Sequence, residues 1–251
     1  MKYAADFRKI ARDALRGRWV TAVIAGLLAA MLGGVAAGGP EIELDIGENG
    51  ANVVLEFAGQ QIYTTATGWG EEISGLLIGG AAYIVLAALV MAAAFFVLGS
   101  IIAIGYDRFN LDLVDRQKES EIGTLFGFFS HWKTAAMARL LRTVYVTLWS
   151  LLFIIPGIVA SYSYAMTGYI LADRPELTAG EAIESSKRMM AGNRGRLFCL
   201  HMSFIGWGIL SALTLGIGDL WLTPYKQAAT AAFYREISDI QHKEDTIPEY
   251  L

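Results

Sequence analysis

The sequence predicts an all-α fold, a polytopic transmembrane helix bundle with five to six crossings, and three observations support this class. Apolar residues make up 55% of the 251 residues and charged residues 18%. The mean hydropathy is +0.44, whereas soluble domains carry about 25% charged residues. Stretches without Asp, Glu, Lys or Arg reach the length of about 20 residues that crosses a bilayer core, and they are residues 19–40, 73–106, 143–172 and 197–218.

Composition also excludes several other classes of protein. The long apolar runs exclude a disordered chain and a water-soluble barrel, and a single cysteine, Cys199, excludes an intramolecular disulfide. The formal net charge of -4 gives no electrostatic footprint for nucleic acid. No nucleic-acid partner is therefore expected.

The charged residues between the apolar stretches predict the orientation, because cytoplasmic loops carry an excess of Lys and Arg. Residues 1–18, 105–142 and 173–197 hold 6, 6 and 5 basic residues, whereas residues 40–72 hold none and 7 acidic ones. We therefore expect a multi-pass protein of the cell membrane with a cytoplasmic N-terminus. Residues 1–237 form one transmembrane domain in this interpretation, with an outer acidic loop at 40–72 and a cytoplasmic tail at 238–251.

The apolar stretch at residues 143–172 is predicted to enter the membrane and return, because both of its flanks are basic. Pro156 and Gly157 lie near its middle, where proline removes a helical hydrogen bond. We expect the turn at this pair, near the outer face. One kinked span is the alternative.

Three further segments affect the topology. Residues 73–104 would form a helix of roughly 48 Å, which must tilt, kink or protrude. Residues 220–234 contain the single charge of Lys226 and are interrupted by Pro224, so their crossing is left open. In the acidic loop, residues 53–57 and 61–65 predict a small β-hairpin around residues 58–60. A signal peptide is the alternative for the first stretch, and an uncleaved span is favoured.

Small residues recur at every fourth position of the first apolar stretch, and a second pair begins the next one. Such residues allow another helix to approach closely. We expect packing inside the bundle, with homodimerisation as the alternative. The residues are Ala22, Gly26, Ala30, Gly34 and Gly38, followed by Gly75 and Gly79.

Two cytoplasmic segments predict amphipathic helices. In residues 106–114, Tyr106, Phe109 and Leu113 share one helical face, and we expect them to anchor at the membrane surface. In the second segment, Thr178 and Glu181 form a capping box, and Gly192 with Asn193 is typical of a left-handed stop.

Basic residues near the end of the second amphipathic helix are candidates for lipid headgroup binding, because each cation near an anionic surface contributes about 1 kcal/mol. A role only in setting the topology is the alternative. These residues are Lys187, Arg188, Arg194 and Arg196.

Polar and hinge residues inside the apolar stretches are a second set of candidates, since polar groups left unpaired in lipid are costly. Asp219 and Lys226 share a face if the helix between them is continuous. A structural role is favoured, and a polar transport path beside helix discontinuities is the alternative. The set is Pro156, Gly157, Tyr162, Ser163, Tyr164, Asp219, Pro224 and Lys226. Residues 152–164 and 220–234 also show a weak internal similarity.

No enzyme chemistry is indicated by the sequence. His131, His201 and His242 lie far apart, and the chain has no HExxH, phosphate-binding loop or GxSxG motif. Catalytic residues, metal ligands and a cofactor are therefore not expected.

Several segments in a fixed order resemble the bacterial integral-membrane family called domain of unknown function 975, over roughly residues 1–237 and most densely over 139–237. The resemblance implies a multi-span membrane protein and carries over no activity, ligand or catalytic residue. The matching segments are IIPGIV at 154–159, YSYAM at 162–166, ADRPELT at 172–178, AIESSKRMMAG at 182–192, FIGW at 204–207, PY at 224–225 and FY at 233–234.

The sequence thus favours a non-enzymatic membrane protein that acts through membrane lipid or through a protein partner, which includes a second copy of the chain. A small-solute or lipid transporter is the alternative. A water-accessible path to Tyr164, Asp219 or Lys226 would distinguish the two.

Overall fold

The computed structural model describes residues 2–33, 41–47, 50–57, 60–65, 71–115 and 121–246. Most of the described chain is helical, and two short 3-10 helices cover Ile122–Phe126 and Phe129–His131. The α-helices are α1 (Ala4–Leu15), α2 (Trp19–Met31), α3 (Glu71–Val114), α4 (Trp132–Leu152), α5 (Ile154–Ser163), α6 (Thr167–Asp173), α7 (Ala179–Met189), α8 (Arg194–Met202), α9 (Ile205–Leu213) and α10 (Asp219–Thr246).

The chain divides into two compact units. The larger contains Met1–Val35 and Leu98–Leu251, and the smaller contains Ala36–Val97. In the smaller unit, β1 (Glu41–Gly47), β2 (Gly50–Phe57) and β3 (Gln60–Thr65) form an antiparallel sheet in the order β1-β2-β3. Strands β2 and β3 pair Val53 with Thr64 and Phe57 with Gln60, in the segment where the sequence predicts a hairpin.

Three helical regions of the described chain are long and apolar enough to cross a membrane: Val85–Val114, Ile154–Asp173 and Arg194–Leu213. Helices α1 and α2 add a fourth candidate if they count as one span, although the axis bends by 102° between them. These regions agree with the composition of a membrane protein. The predicted number of five to six crossings is higher and stays a prediction.

Helix α3 continues through the segment that was expected to lie on the membrane surface. Tyr106, Phe109 and Leu113 belong to its last turns and are almost completely buried inside the protein. The expectation that these side chains anchor at the surface is therefore wrong. Their shared face is a packing face, and the 3-10 segment around Leu125 approaches Gly105 on the same helix.

Helices α4 and α5 form a helical hairpin, so the chain reverses here instead of making one kinked helix. The break is at Phe153, whose backbone is extended, with φ -160° and ψ 150°. Helix α5 then packs back along α4, and a Cβ atom built on Gly157 would lie 2.7 Å from Ser150 Cα. The turn was predicted at Pro156 and Gly157, which is wrong by a few residues. Both lie in the first turn of α5, where the missing N–H of proline costs no helical bond.

Helices α9 and α10 form a second hairpin of the same kind. The chain turns through Leu215 and Gly216, which have φ values of 54° and 84°. A Cβ atom on Gly218 would lie 2.9 Å from Ser211 Cα. Helix α10 continues through Pro224 and past residue 237, so this proline does not interrupt the helix as the sequence suggested.

Two amphipathic helices, α1 and α7, are each followed by a glycine in the left-handed conformation, which we call a corner glycine. Gly17 after α1 has φ 80°, and Gly192 after α7 has φ 79°, in the left-handed region that glycine adopts without strain. The predicted capping box of Thr178 and Glu181 and the predicted stop at Gly192 are both confirmed.

The small residues of α2 pack within the chain. Ala22 and Gly26 are buried, and a Cβ atom on Gly26 would lie 3.0 Å from the Tyr106 hydroxyl and 4.0 Å from Pro224 Cδ. Ala30 is half-buried. Gly34 and Gly38 lie outside the described residues, and Gly75 and Gly79 lie in α3 at positions whose surroundings are not described.

A network of ion pairs joins the end of α6 to the C-terminal part of α3 and to the middle of α10. Asp173 at the end of α6 lies 3.6 Å from Arg108 and 3.0 Å from Arg235. Arg235 also pairs with Asp115 at 2.6 Å, and Arg108 with Asp112 at 3.0 Å. The network fixes these parts of the three helices relative to one another.

Candidate functional site

Three of the four predicted headgroup-binding cations lie along one groove, which we call the α7 groove. Its volume is about 590 Å³, within the range of ligand pockets. Helices α4, α7 and the end of α5 form its walls. The lining residues are Leu141, Tyr145, Tyr164, Gly180, Ile183, Glu184, Lys187, Arg188, Ala191 and Arg194.

The buried face of α7 determines which of its residues face the groove. The Ser186 hydroxyl donates a hydrogen bond to the Ser163 carbonyl at 2.9 Å and accepts one from the Met166 N–H at 3.2 Å. Ala182 and Met189 are buried on the same side. This packing directs Lys187 and Arg188 toward the exposed side of the helix.

The floor of the groove is aromatic and apolar. The rings of Tyr145 and Tyr164 lie 5.8 Å apart across the α4–α5 hairpin. Ile183 packs with Ala160 and Tyr164 in one buried cluster. An apolar group bound here would contact these rings below the level of the cations.

The cationic rim of the groove is open to a ligand. Lys187 and Arg188 are exposed, and Arg194 is half-buried. The Arg194 Nε atom is buried and has no hydrogen-bond partner in the described structure. Across the described ranges, none of these cations forms a salt bridge. Glu184 is the one acidic residue among the lining residues, so the rim is positively charged.

The fourth predicted cation, Arg196, has a different environment. Its guanidinium pairs with Glu236 at 2.8 Å and donates to the Asn193 side chain at 2.9 Å. It also lies 6.0 Å from the Phe7 ring and 5.5 Å from the Phe233 ring. Arg196 therefore joins α8 to α1 and α10 and does not line the α7 groove.

The predicted polar residues are dispersed, and only Tyr164 lies in the groove. Tyr162 contacts the rings of Phe198 and His201 at 5.8 and 5.7 Å. The Ser163 hydroxyl donates to the Val159 carbonyl at 2.7 Å, which satisfies it within its own helix.

Asp219 and Lys226 lie on one continuous helix, which is the condition for their sharing a face. The described chain contains no ion pair between them. Pro156 lies in the first turn of α5, and Pro224 packs against α2. Neither proline lies at the α7 groove.

Sequence reasoning missed the α4 wall of the groove. Leu141 and Tyr145 were assigned only to an apolar arm, because nothing near them in sequence marks a ligand site. The one usable signal is the hairpin itself, since reversal at Phe153 brings Tyr145 opposite Tyr164. Among the described residues, no three His, Cys, Asp or Glu side chains are placed to hold a metal ion.

Comparison with protein families agrees with the ordered segments noted in the sequence. Residues 151–241 match the model of a protein of unknown function, DUF975. Over this segment the chain is similar to the DUF975 family. The match covers α5 to α10, which includes α7 and the cationic rim but not the α4 wall. No curated protein and no solved structure matches the chain.

Proposed function

We propose that this DUF975 protein is a multi-span membrane protein that binds anionic lipid headgroups in the α7 groove and acts through that interaction instead of through catalysis. The observation that carries the proposal is the convergence of Lys187, Arg188 and Arg194 on one groove with an aromatic floor. Each cation near an anionic surface contributes about 1 kcal/mol to binding. A phosphate group would also give the buried Arg194 Nε an acceptor.

The proposed topology places six segments in the membrane, with the N-terminus and the α7 groove on the cytoplasmic side. The segments are α2, α3, α4, α5 with α6, α8 with α9, and α10. Both hairpin tips support this arrangement, because Ile154 is 77% exposed and Leu215 is 95% exposed. Exposed apolar tips of this kind fit the outer membrane interface, where they contact lipid and water still reaches them.

Lipid binding is tested by titrating the detergent-solubilised protein with an anionic and a zwitterionic phospholipid and counting bound lipids by native mass spectrometry. We expect anionic lipid to bind more tightly, and Lys187→Gln with Arg188→Gln to weaken its binding by roughly one order of magnitude. The matched control, Lys133→Gln with Arg174→Gln, removes two exposed cations outside the groove and leaves binding unchanged.

Equal loss in both double variants would show that only total charge matters and would contradict the site. Arg194→Gln supplies a separate test of the buried donor, since its effect should disappear when the lipid has no phosphate.

The topology is tested with single cysteines in intact cells on a Cys199→Ser background, using an impermeant thiol reagent. Ile154→Cys and Leu215→Cys at the hairpin tips are expected to react from outside, and Gly180→Cys at the groove is expected to be protected. Reaction at Gly180→Cys would overturn the orientation. Reaction of Lys226→Cys from outside would instead favour the transporter alternative, because it requires a water-filled path.

A further inference from the structure

A second cavity, which we call the α1 cavity, lies between α1, the start of α2 and the α9–α10 hairpin. Its volume is about 620 Å³. Arg8 and Arg12 of α1 line it, and Trp19, Trp207 and Trp221 are among its other lining residues. No acidic residue is among the described residues that line it. The cavity is thus cationic at one end and apolar over its length.

The cationic end is fixed by several contacts. Arg8 and Arg12 are four residues apart, so they share one face of α1. Arg8 Nη1 donates to the Ser203 carbonyl at 3.2 Å, and the Tyr225 hydroxyl donates to the Arg8 carbonyl at 3.2 Å. The Trp19 and Tyr225 rings lie 6.3 Å apart. Most guanidinium N–H donors stay available to a ligand, because an arginine has five.

The apolar end extends along the hairpin toward its tip. The lining includes Leu210 and Thr214 of the α9 arm and Gly218 and Trp221 of the α10 arm. From Tyr225 to Gly218 a helix rises roughly 10 Å, which is about a third of a hydrocarbon core. The cavity therefore continues from the level of α1 toward the exposed apolar tip.

The α1 and α2 side of the α1 cavity is built like the α7 and α8 side of the α7 groove. The residues of α1 and the start of α2 correspond one by one to those of α7 and the start of α8, with residue numbers that differ by 175. Gly17 thus matches Gly192. Every α1 and α2 residue that lines the cavity then has a counterpart lining the groove: Ala5 and Gly180, Arg8 and Ile183, Arg12 and Lys187, Trp19 and Arg194.

The two hairpins correspond as well, with residue numbers that differ by 61. Ser211 and Gly218 make the close approach in one hairpin that Ser150 and Gly157 make in the other. The same difference of 61 matches Tyr225 of the α1 cavity with Tyr164 of the α7 groove. Two sites of one architecture on one chain are the arrangement expected if both receive the same class of ligand.

We propose that the α1 cavity is a second lipid site, which holds the phosphate of an anionic phospholipid between Arg8 and Arg12 and one acyl chain against Trp207 and Trp221. Charge complementarity selects the anionic headgroup, and the tryptophan wall selects the chain. The α1 cavity is a separate site, because it shares no lining residue with the α7 groove, although the choice of lipid as its ligand class rests in part on the function proposed for that groove.

The tryptophans make a direct test possible, because bromine atoms on lipid chains quench indole fluorescence at contact. Two variants keep a single tryptophan of the six, with phenylalanine at the other five so that the cavity wall stays aromatic and apolar: Trp221 in the cavity, or Trp149, a half-exposed residue of α4 outside both sites. Each is reconstituted into zwitterionic bilayers that contain a small mole fraction of chain-brominated anionic lipid. We expect at least about twofold stronger quenching of Trp221 than of Trp149.

Substitutions then assign the selectivity to the cations. Arg12→Gln should raise the mole fraction for half-maximal quenching of Trp221 by about fivefold, as expected for one charge near the membrane surface. Lys187→Gln with Arg188→Gln should leave Trp221 quenching unchanged, which separates this site from the α7 groove. Brominated zwitterionic lipid at the same fraction should quench both tryptophans equally.

Two results would overturn the proposal. Equal quenching of Trp221 and Trp149 by the anionic lipid would mean that the cavity holds no lipid. Trp221 could instead be quenched preferentially and to the same extent with Arg12→Gln, in a variant whose Tm is unchanged. The cavity would then bind apolar chains without selecting the charge of the headgroup.

Discussion

The helices around the α1 cavity (the α1 side) and those around the α7 groove (the α7 side) share one arrangement but differ in their lining residues. Each has an amphipathic helix, a left-handed glycine, a turn into an apolar helix and a hairpin closed by a glycine against a serine. The four buried positions of α1 all have buried counterparts, which pair Phe7 with Ala182, Ala11 with Ser186, Ala14 with Met189 and Leu15 with Met190. The comparison teaches that a few buried and turn positions set the architecture, while the lining residues are free to differ.

The helix starts follow the same rule. The Thr178 N–H donates to the Glu181 carboxylate at 2.8 Å, and the Tyr3 N–H donates to the Asp6 carboxylate at 2.9 Å. In both helices an acidic residue therefore satisfies a backbone group that the helix leaves unpaired. The two sides differ mainly in lining: α1 presents Arg8 where α7 presents Ile183, and Trp19 takes the place of Arg194.

The largest predicted effect concerns Arg196 of α8, which joins that helix to α1 and α10. Arg196→Gln removes the ion pair with Glu236 and the contacts with the Phe7 and Phe233 rings. Because Glu236 is left mostly buried without its charged partner, with only the Lys2 N–H still donating to it, we expect a loss of roughly 3 kcal/mol. A fall in Tm, with earlier proteolysis at α1 than at α7, is the measurement. Arg174→Gln is the control, and an equal fall there would contradict the assignment.

A smaller effect is expected from the two hairpin glycines. Gly157→Ala and Gly218→Ala each place a methyl group against serine backbone, so we expect a loss of about 1–3 kcal/mol for each. Gly157→Ala should cost more, because its approach of 2.7 Å is closer than 2.9 Å. Gly206→Ala in α9 meets nothing within 4 Å and serves as the control. If both variants keep the wild-type Tm, the hairpins are not tightly packed.

The two corner glycines should respond alike to substitution. An added Cβ at Gly17 or Gly192 meets no atom within 4 Å, so the cost of alanine is the backbone strain of a positive φ, about 1 kcal/mol. Asparagine tolerates this conformation better and should recover part of the loss. Gly195→Ala, in open space without a positive φ, should not lower the Tm. Unequal losses at Gly17 and Gly192 would break the equivalence of the two corners.

The smallest effect is a pH dependence at α7. Hydrogen bonds from the Thr178 hydroxyl and the Thr178 N–H hold the pKa of Glu181 below its usual value of 4.5. Because the folded pKa is the lower one, the stabilisation is complete above pH 4.5 and is lost as the pH falls through the folded pKa. Comparing Tm against pH for the wild type and Glu181→Gln should show a difference at neutral pH that vanishes in acid. Glu176→Gln, an exposed carboxylate outside the cap, should show none.

Local features of this fold could be predicted from the sequence because their causes lie within a few residues. The cap of Thr178 and Glu181, the end of α6 at Asp173 and the stop at Gly192 each depend on side chains within four positions. The position of the hairpin turn could not. Pro156 fits the first turn of a helix as well as it fits a turn, and the deciding contact is between Gly157 and Ser150 across the hairpin.

The candidate site was predictable in its cations but not in its walls. Lys187, Arg188 and Arg194 follow one another in the chain, whereas Tyr145 comes from another helix. The weak similarity between residues 152–164 and 220–234 pointed to a repeated hairpin, but the structure aligns the hairpins through Ser150 and Ser211, not through their prolines. Lining residues of the two sites differ in type, so no sequence comparison alone reveals the correspondence.

The distances along the chain between interacting residues have a consequence for biogenesis. The α7 side is held by the bond between Ser186 and Ser163, which are 23 residues apart, whereas Tyr225 and Arg8 on the α1 side are 217 residues apart. During synthesis the α7 groove can form as soon as α8 has left the ribosome. Helix α1 must wait for α10, the last helix of the described residues. A ribosome-bound chain that ends before α10 would therefore carry a finished groove and an N-terminal helix still in need of its partner.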